Sequence, residues 1–183
     1  MLFRLDDYLF HLLYAGAPGA RRTTAVVLSL VGGGWGMLGI LPLLLRKDAR
    51  RFAAWLTCTL VGTATLVFLL KNAVGRGRPY TVYAGLHDAL AASPTDFSFP
   101  SGHAAGAFAF AAFVTSILLG RDPRPTYAVS GSVAALVFAV AVALSRVVLG
   151  FHFPLDVAAG SLLGGSIGAV SGARFSRAPA RES

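Results

Sequence analysis

Eight residues in three short segments of this 183-residue chain carry chemistry: Lys71 and Arg78, then Ser101, Gly102 and His103, then Arg146, His152 and Asp156. The surrounding sequence is apolar and poor in charge. Charge beside a membrane core is costly, so its presence generally has a functional reason. Three cations mark a place for an anion. Arginine forks combined with a lysine point charge suit phosphoryl oxygens. Two histidines can divide nucleophilic and acid–base work, because imidazole titrates near neutral pH.

Each segment has a local logic. Lys71 closes an apolar run, and Arg78 precedes Pro79, which favours an extended backbone at Arg78. Pro100-Ser101-Gly102-His103 opens another apolar run. Ser101 suits a helix N-cap, Gly102 lets a ligand approach the backbone, and the helix N-terminus attracts a phosphate. His103 beside that anion can donate a proton to a leaving oxygen. Ser145-Arg146 closes a further run, and Pro154 suits the first turn of the next helix. Asp156 follows His152 by four residues, so its carboxylate can reach one ring nitrogen and fix the tautomer. Snorkelling charges, an ordinary cap and a structural His–Asp pair are the plainer alternatives for the three segments. A zinc site would use the same histidines and aspartate, but Lys71, Arg78 and Arg146 would repel a metal, so no metal is expected.

The elements that must position these residues are membrane helices. The chain is 55% hydrophobic and 13% charged, with mean hydropathy +0.67, against about a quarter charged in soluble domains. The net charge of +8 does not indicate nucleic acid, because the arginines fall at the ends of apolar runs rather than in a patch with interleaved aromatics. Five stretches read as spans: 23–45, 52–70, about 103–119, 127–144 and 157–173. Residues 1–22 read as an N-terminal interfacial helix, with Leu2, Leu5, Leu9, Leu12 and Leu13 at helical spacing, interrupted by Arg4, Asp6 and Asp7. The expectation is all-α: a polytopic transmembrane helical bundle of five spans plus that helix, with six spans as the alternative. One integral-membrane domain covers 1–183, with the spanning bundle in 23–173, a site-bearing loop in 71–103 and a tail in 174–183.

Orientation follows from the basic residues. Arg46, Lys47, Arg50, Arg51, Arg121, Arg124, Arg174, Arg177 and Arg181 fall on one side. Setting aside Lys71, Arg78 and Arg146, the other side holds only Arg4, Arg21, Arg22 and Arg76. The positive-inside rule makes the C-terminal tail cytoplasmic and places all three segments on the periplasmic or extracytoplasmic face of the cell membrane. Gly160, Gly164, Gly168 and Gly172 form a ladder on the last span, which suits internal helix packing or a homodimer interface. Trp35 and Trp55 read as packing, and His11 and His87 as surface residues. Phe97, Phe99, Phe151 and Phe153 read as an interfacial aromatic belt or a lipid entry route, and Arg76 as a headgroup contact.

The spacing of Lys71 to Arg78-Pro79, the Pro100-Ser101-Gly102-His103 run, and Ser145-Arg146 with His152 and Asp156 resembles the three-part signature of the type 2 phosphatidic acid phosphatase superfamily, in its small bacterial form. That superfamily includes vanadium-dependent haloperoxidases and glucose-6-phosphatase. The resemblance implies a lipid phosphatase with no cofactor. His152 would be the nucleophile, Asp156 its orienting partner, and His103 the acid and then the base. Lys71, Arg78, Ser101, Gly102 and Arg146 would bind the phosphoryl group. The implied partners are membrane lipids and a lipid phosphate or pyrophosphate. Undecaprenyl pyrophosphate leads, with phosphatidylglycerophosphate, phosphatidic acid and lipid A phosphates as alternatives. A non-catalytic lipid-phosphate binding or transport protein is the reading from another class.

Overall fold

Backbone N–H and C=O groups in lipid must be satisfied within the chain, which leaves helices as the natural form of long Ala-, Leu- and Val-rich runs. The computed structural model describes residues 2–14, 16, 19–33, 39, 41–47, 49–83, 86 and 94–178. Trp35, His87 and Arg181 lie outside the described residues. Among those described, every regular element is a helix: α1 (Leu2–Leu13), α2 (Ala20–Val31), α3 (Leu41–Leu45), α4 (Arg50–Val74), α5 (Pro79–Val82), α6 (Gly102–Leu119), α7 (Ala128–Val148) and α8 (Pro154–Arg177).

Four stretches among the described residues are long and apolar enough to cross a membrane: Arg50–Val82, Gly102–Leu119, Ala128–Val148 and Pro154–Arg177. They cover the second to fifth expected spans. The first expected span, 23–45, is not one helix: α2 ends at Val31 and α3 begins at Leu41. Gly32 closes α2 with its N–H on the Leu28 carbonyl at 2.8 Å. Glycine weakens a helix interior by about 1 kcal/mol. Gly32 also lies where a Cβ would stand 2.4 Å from Val142 of α7, so close packing of α2 on α7 requires it. The outward faces of α4 and α7 carry Val61, Phe68 and Leu69, and Val129, Val133 and Val137, all exposed. An apolar exterior of this extent suits lipid rather than water.

The bundle is organised around α6, which packs along α8 and also against α7 and α4. The glycine ladder sets the α6–α8 distance. A Cβ at Gly160, Gly164, Gly168 or Gly172 would stand 2.4, 1.9, 2.2 or 2.5 Å from the carbonyl oxygens of Ser101, Ala105, Ala109 and Phe113 in turn. All four glycines are buried, so the stripe faces α6 inside the bundle. Small residues permit such backbone approach, which substitutes dispersion contact for the weak apolar drive between helices in lipid.

Helix α1 docks by the residues that break its apolar pattern. Asp6 and Phe10 are buried, while Leu5 and Leu12 are exposed. Phe10 joins a core cluster with Ala104, Val147 and Phe153, which ties α1 to the start of α6 and the turn before α8.

Replacing Gly164 with Ala is expected to destabilise the fold by about 1–3 kcal/mol, since the α6 backbone must move. Replacing the neighbouring Gly165, which has open space around it, is expected to stay within about 1 kcal/mol of wild type. Thermal unfolding of the two variants in detergent checks the contrast.

Candidate active site

Lys71 lies in the last turn of α4, buried against the bundle. Gly75 ends that helix with φ 65, a left-handed conformation that favours glycine, and its N–H returns to the Lys71 carbonyl at 2.9 Å. The chain then turns back, and Arg78 caps α5 with the extended ψ of 158 that Pro79 imposes. The two cations converge on one carboxylate. Asp96 Oδ2 lies 2.7 Å from Lys71 Nζ, and Asp96 Oδ1 lies 2.7 Å from Arg78 Nη2. Arg78 also donates to the carbonyls of Asp96 and Phe151, each at 2.8 Å, and Lys71 donates to the Phe97 carbonyl. Partial burial opposes ionisation of Asp96, but the Lys71 hydrogen bond and the Arg78 charge hold its carboxyl below the usual range. Asp96 is therefore an anion seated between two buried cations, with its own side chain 56% exposed.

Ser101 caps α6, its hydroxyl accepting from the Ala104 N–H at 3.4 Å. Its own N–H donates to the Asp156 carbonyl at 2.9 Å, which locks the start of α6 to the first turn of α8. Gly102 and His103 follow and line a cavity of about 590 Å³ together with Lys71 and Asp96. The rest of that cavity is largely apolar, with Leu60, Val67, Phe110 and Phe138 among its walls. Its size falls in the usual range for small-molecule pockets, about 300–1,000 Å³.

The third segment forms the turn between α7 and α8. Gly150 takes φ 75, and the turn delivers His152 into the interior, 2% exposed. His152 Nε2 lies 3.3 Å from Arg78 Nη1. His152 Nδ1 faces Asp156 Oδ2 at 3.6 Å, beyond hydrogen-bonding distance. Ser98 fills the gap: its hydroxyl donates to Asp156 Oδ2 and lies 3.3 Å from His152 Nδ1. Asp156 Oδ2 also accepts the Phe153 N–H at 2.9 Å, as an acid in the first helical turn can. Burial pushes His152 down to about 4; the Asp156 contact opposes this, and the charges of Arg78 and Arg146 add to it. The imidazole is thus neutral at physiological pH, with Nδ1 turned to Ser98 and Asp156 and Nε2 turned to the cations. Arg146 lies over the Phe151 ring at 4.5 Å and donates to Ser29 of α2. Its Nε is buried with no hydrogen-bond partner among the described residues.

The eight residues expected from the sequence therefore converge. Lys71, Arg78, His152 and Asp156 share one polar network, Arg146 joins it through Phe151, and Ser101 joins it through its N–H. Gly102 and His103 meet Lys71 at the cavity. Four members of the network were not anticipated: Asp6, Arg76, Asp96 and Ser98. Arg76 is no headgroup contact, since its guanidinium bridges Asp6 and Asp156 at 2.6 Å each. Phe151 and Phe153 are no aromatic belt. Both are buried, under Arg146 and Arg76 respectively. An acid within an apolar helix, Asp6, and a second arginine two residues before Arg78 were the available signals, because buried charge demands a partner.

Comparison with known proteins shows the family. Residues 52–178 match the PAP2 superfamily, and the chain belongs to it. It is 35% identical over 143 residues to a decaprenylphosphoryl-5-phosphoribose phosphatase of Mycobacterium tuberculosis, covering 75% of this chain and 69% of that protein. It is 33% identical over 129 residues to an undecaprenyl-diphosphatase of Sulfolobus acidocaldarius, covering 70% and 58%. Its fold matches the crystal structure of a PAP2-type phosphatidylglycerolphosphate phosphatase from Bacillus subtilis with a TM-score of 0.76 at 20% identity, over 93% of this chain and 84% of that one.

Asp96 holds the cations that an external anion would use. Asp96→Asn is expected to tighten inhibition by inorganic phosphate by about threefold or more, as the competing charge disappears. An unchanged or weaker inhibition constant would show that Asp96 supports the cradle rather than competing for it.

Proposed function

We propose that the chain is an integral-membrane lipid phosphatase that hydrolyses a phosphomonoester or pyrophosphate through a phosphohistidine at His152. The observation that carries this reading is the cavity that joins Lys71, Gly102 and His103 to apolar walls. A lipid phosphate has the same division between a charged group and an apolar body. In the first step His152 Nε2 forms a bond to phosphorus while the bond to the leaving oxygen breaks, and His103 gives that oxygen its proton. In the second step water attacks phosphorus, His103 takes the proton of the water, and the N–P bond breaks to release phosphate. Lys71, Arg78, Ser101, Arg146 and the Gly102 amide stabilise charge on the equatorial oxygens. These groups supply the electrostatic stabilisation from the chain itself, and their positive charge opposes a metal at the same place, so the reaction is proposed to run without one.

Undecaprenyl pyrophosphate is the leading substrate. Two similar proteins have names that describe phosphatases of polyprenyl carriers, and the cavity walls are apolar. Lipid A phosphates, phosphatidylglycerophosphate and phosphatidic acid share the same chemistry and are the competitors.

In detergent-solubilised protein, His152→Ala is expected to lower phosphate release by at least about 10³-fold while the gel-filtration profile stays that of wild type. Wild-type release should persist in excess chelator. Release by the His152→Ala variant at the wild-type rate would refute the nucleophile assignment, and absence of release by wild type on every lipid would favour a binding protein. Across a panel of prenyl pyrophosphates and phospholipid monoesters, kcat/KM is expected to be highest for the long prenyl pyrophosphate. Equal values throughout would mean a broad-specificity enzyme.

A further inference from the structure

Arg76 and Asp6 stand outside the eight residues of the three segments, yet they extend the same network away from the cavity. Arg76 Nη1 donates to Asp156 Oδ1 at 2.6 Å, and Nη2 donates to Asp6 Oδ2 at 2.6 Å. The guanidinium lies 4.2 Å above the Phe153 ring. Asp6 is fully buried at its side chain. Its second oxygen accepts the N–H of Leu155 at 2.8 Å. Leu155 is the second residue of α8, where the N–H has no acceptor within the helix. One carboxylate from α1 thus completes the start of α8 and orients Arg76. Phe10, one helical turn beyond Asp6, packs on Phe153 at 5.4 Å, and Tyr83 donates to Asp7 at 2.8 Å.

We propose that Arg76 and Asp6 are positioning residues for the nucleophile, a relay that runs from α1 through Asp6, Arg76 and Asp156 to His152; it rests on the reading of His152 as the attacking group. The two oxygens of Asp156 divide the work. Oδ2 accepts from Phe153 N–H and Ser98 and faces His152, while Oδ1 is held by Arg76. With Oδ1 fixed, the carboxylate plane cannot rotate, and Oδ2 stays turned to His152 Nδ1. Outer partners of this kind commonly carry 10–100-fold effects when they orient a reacting group.

Arg76 also sets how much negative charge reaches His152. The charged and titratable groups around His152 are Lys71 from α4, Arg78 and Asp96 from the loop beyond it, His103 from α6, Arg146 from α7 and Asp156 from α8, with Arg76 and Asp6 behind Asp156. Removing the Arg76 charge leaves Asp156 less neutralised and takes away a repulsive cation. Both changes favour protonated His152. The acid limb of kcat/KM, which reports the free enzyme, therefore moves to higher pH.

The test uses the purified full chain in detergent with its best lipid substrate, and compares Arg76→Gln, Arg76→Lys, Asp6→Asn, the double variant Asp6→Asn with Arg76→Gln, and His152→Ala. Arg76→Gln is expected to lower kcat by about 30–100-fold, with KM and the inorganic phosphate inhibition constant within about twofold of wild type. Its acid limb should lie at least about 0.5 pH unit above that of wild type on the same substrate. Arg76→Lys should restore part of kcat and most of the limb. Asp6→Asn should cost about tenfold, and the double variant should be no worse than Arg76→Gln, because the two residues act in series. Wild-type kcat and limb in Arg76→Gln would overturn the relay, as would a parallel loss of kcat, KM and phosphate affinity, or additive effects in the double variant. Should Arg76→Gln fail to run as a single species on gel filtration, Arg76→Lys and Asp6→Asn carry the same criteria. Full activity in His152→Ala would defeat the nucleophile reading itself, whereas an inactive His152→Ala beside an unaffected Arg76→Gln defeats the relay alone.

Discussion

The approach of α6 to α8 at backbone distance is the constraint on which the site depends. Gly160 admits the Ser101 carbonyl, and three further glycines keep the two axes close over the length of α6. That register places the Ser101 N–H on the Asp156 carbonyl. The start of α6, which bears Gly102 and His103, is thereby fixed against the start of α8, which bears Asp156. A side chain at Gly160 would push apart two segments that lie more than fifty positions from each other in the sequence. The ladder is the scaffold of the chemistry as well as of the bundle.

A second constraint is charge balance in a mostly apolar interior. Lys71, Arg76 and Arg78 meet the carboxylates of Asp6, Asp96 and Asp156. A buried ion without a partner would carry a desolvation penalty of several kcal/mol. The pairing is not uniform. Asp6 and Asp156 are sealed in with Arg76, whereas Asp96 sits at the exposed edge on Lys71 and Arg78. The sealed trio is the one proposed to support His152. The exposed pair of contacts lies where the proposed exchange of one anion for another would take place. Arg146 instead lies over the Phe151 ring and donates to Ser29, with its Nε unpartnered among the described residues.

Residues whose roles depend on short-range spacing were legible in the sequence. Ser101 as a cap, Arg78 held extended before Pro79, and Asp156 one turn beyond His152 all follow from local rules. Four of the five expected spans correspond to helices of spanning length. The first is interrupted among the described residues: α2 ends at Val31, where Gly32 and Gly33 outweigh the apolar character that hydropathy counts, and 34–38 and 40 lie outside them. What the sequence concealed were partners supplied by tertiary contact. Asp6 is 150 positions from Asp156, and Ser98 is 54 from His152. No periodicity relates them. Phe151 and Phe153 misled because an aromatic next to a membrane face reads as a belt, yet each lies under a guanidinium whose desolvation it eases.

The proposed division of labour between the two histidines matches where the helices leave space. In-line displacement puts the attacking and leaving groups on opposite sides of phosphorus. His152 is enclosed by the α7–α8 turn, with Nδ1 engaged from behind and Nε2 beside Arg78. His103 faces the other way, into the apolar cavity. Gly33, at the end of α2, lies where any Cβ would stand 2.9 Å from His103 Nε2, so the broken first segment borders the same opening. On the proposed reading, a lipid in the cavity would carry its ester or anhydride oxygen past His103 before its phosphorus met His152. That placement is what the proposed assignment of His103 as acid and His152 as nucleophile requires. The glycines that interrupt the first segment are part of what keeps that opening free.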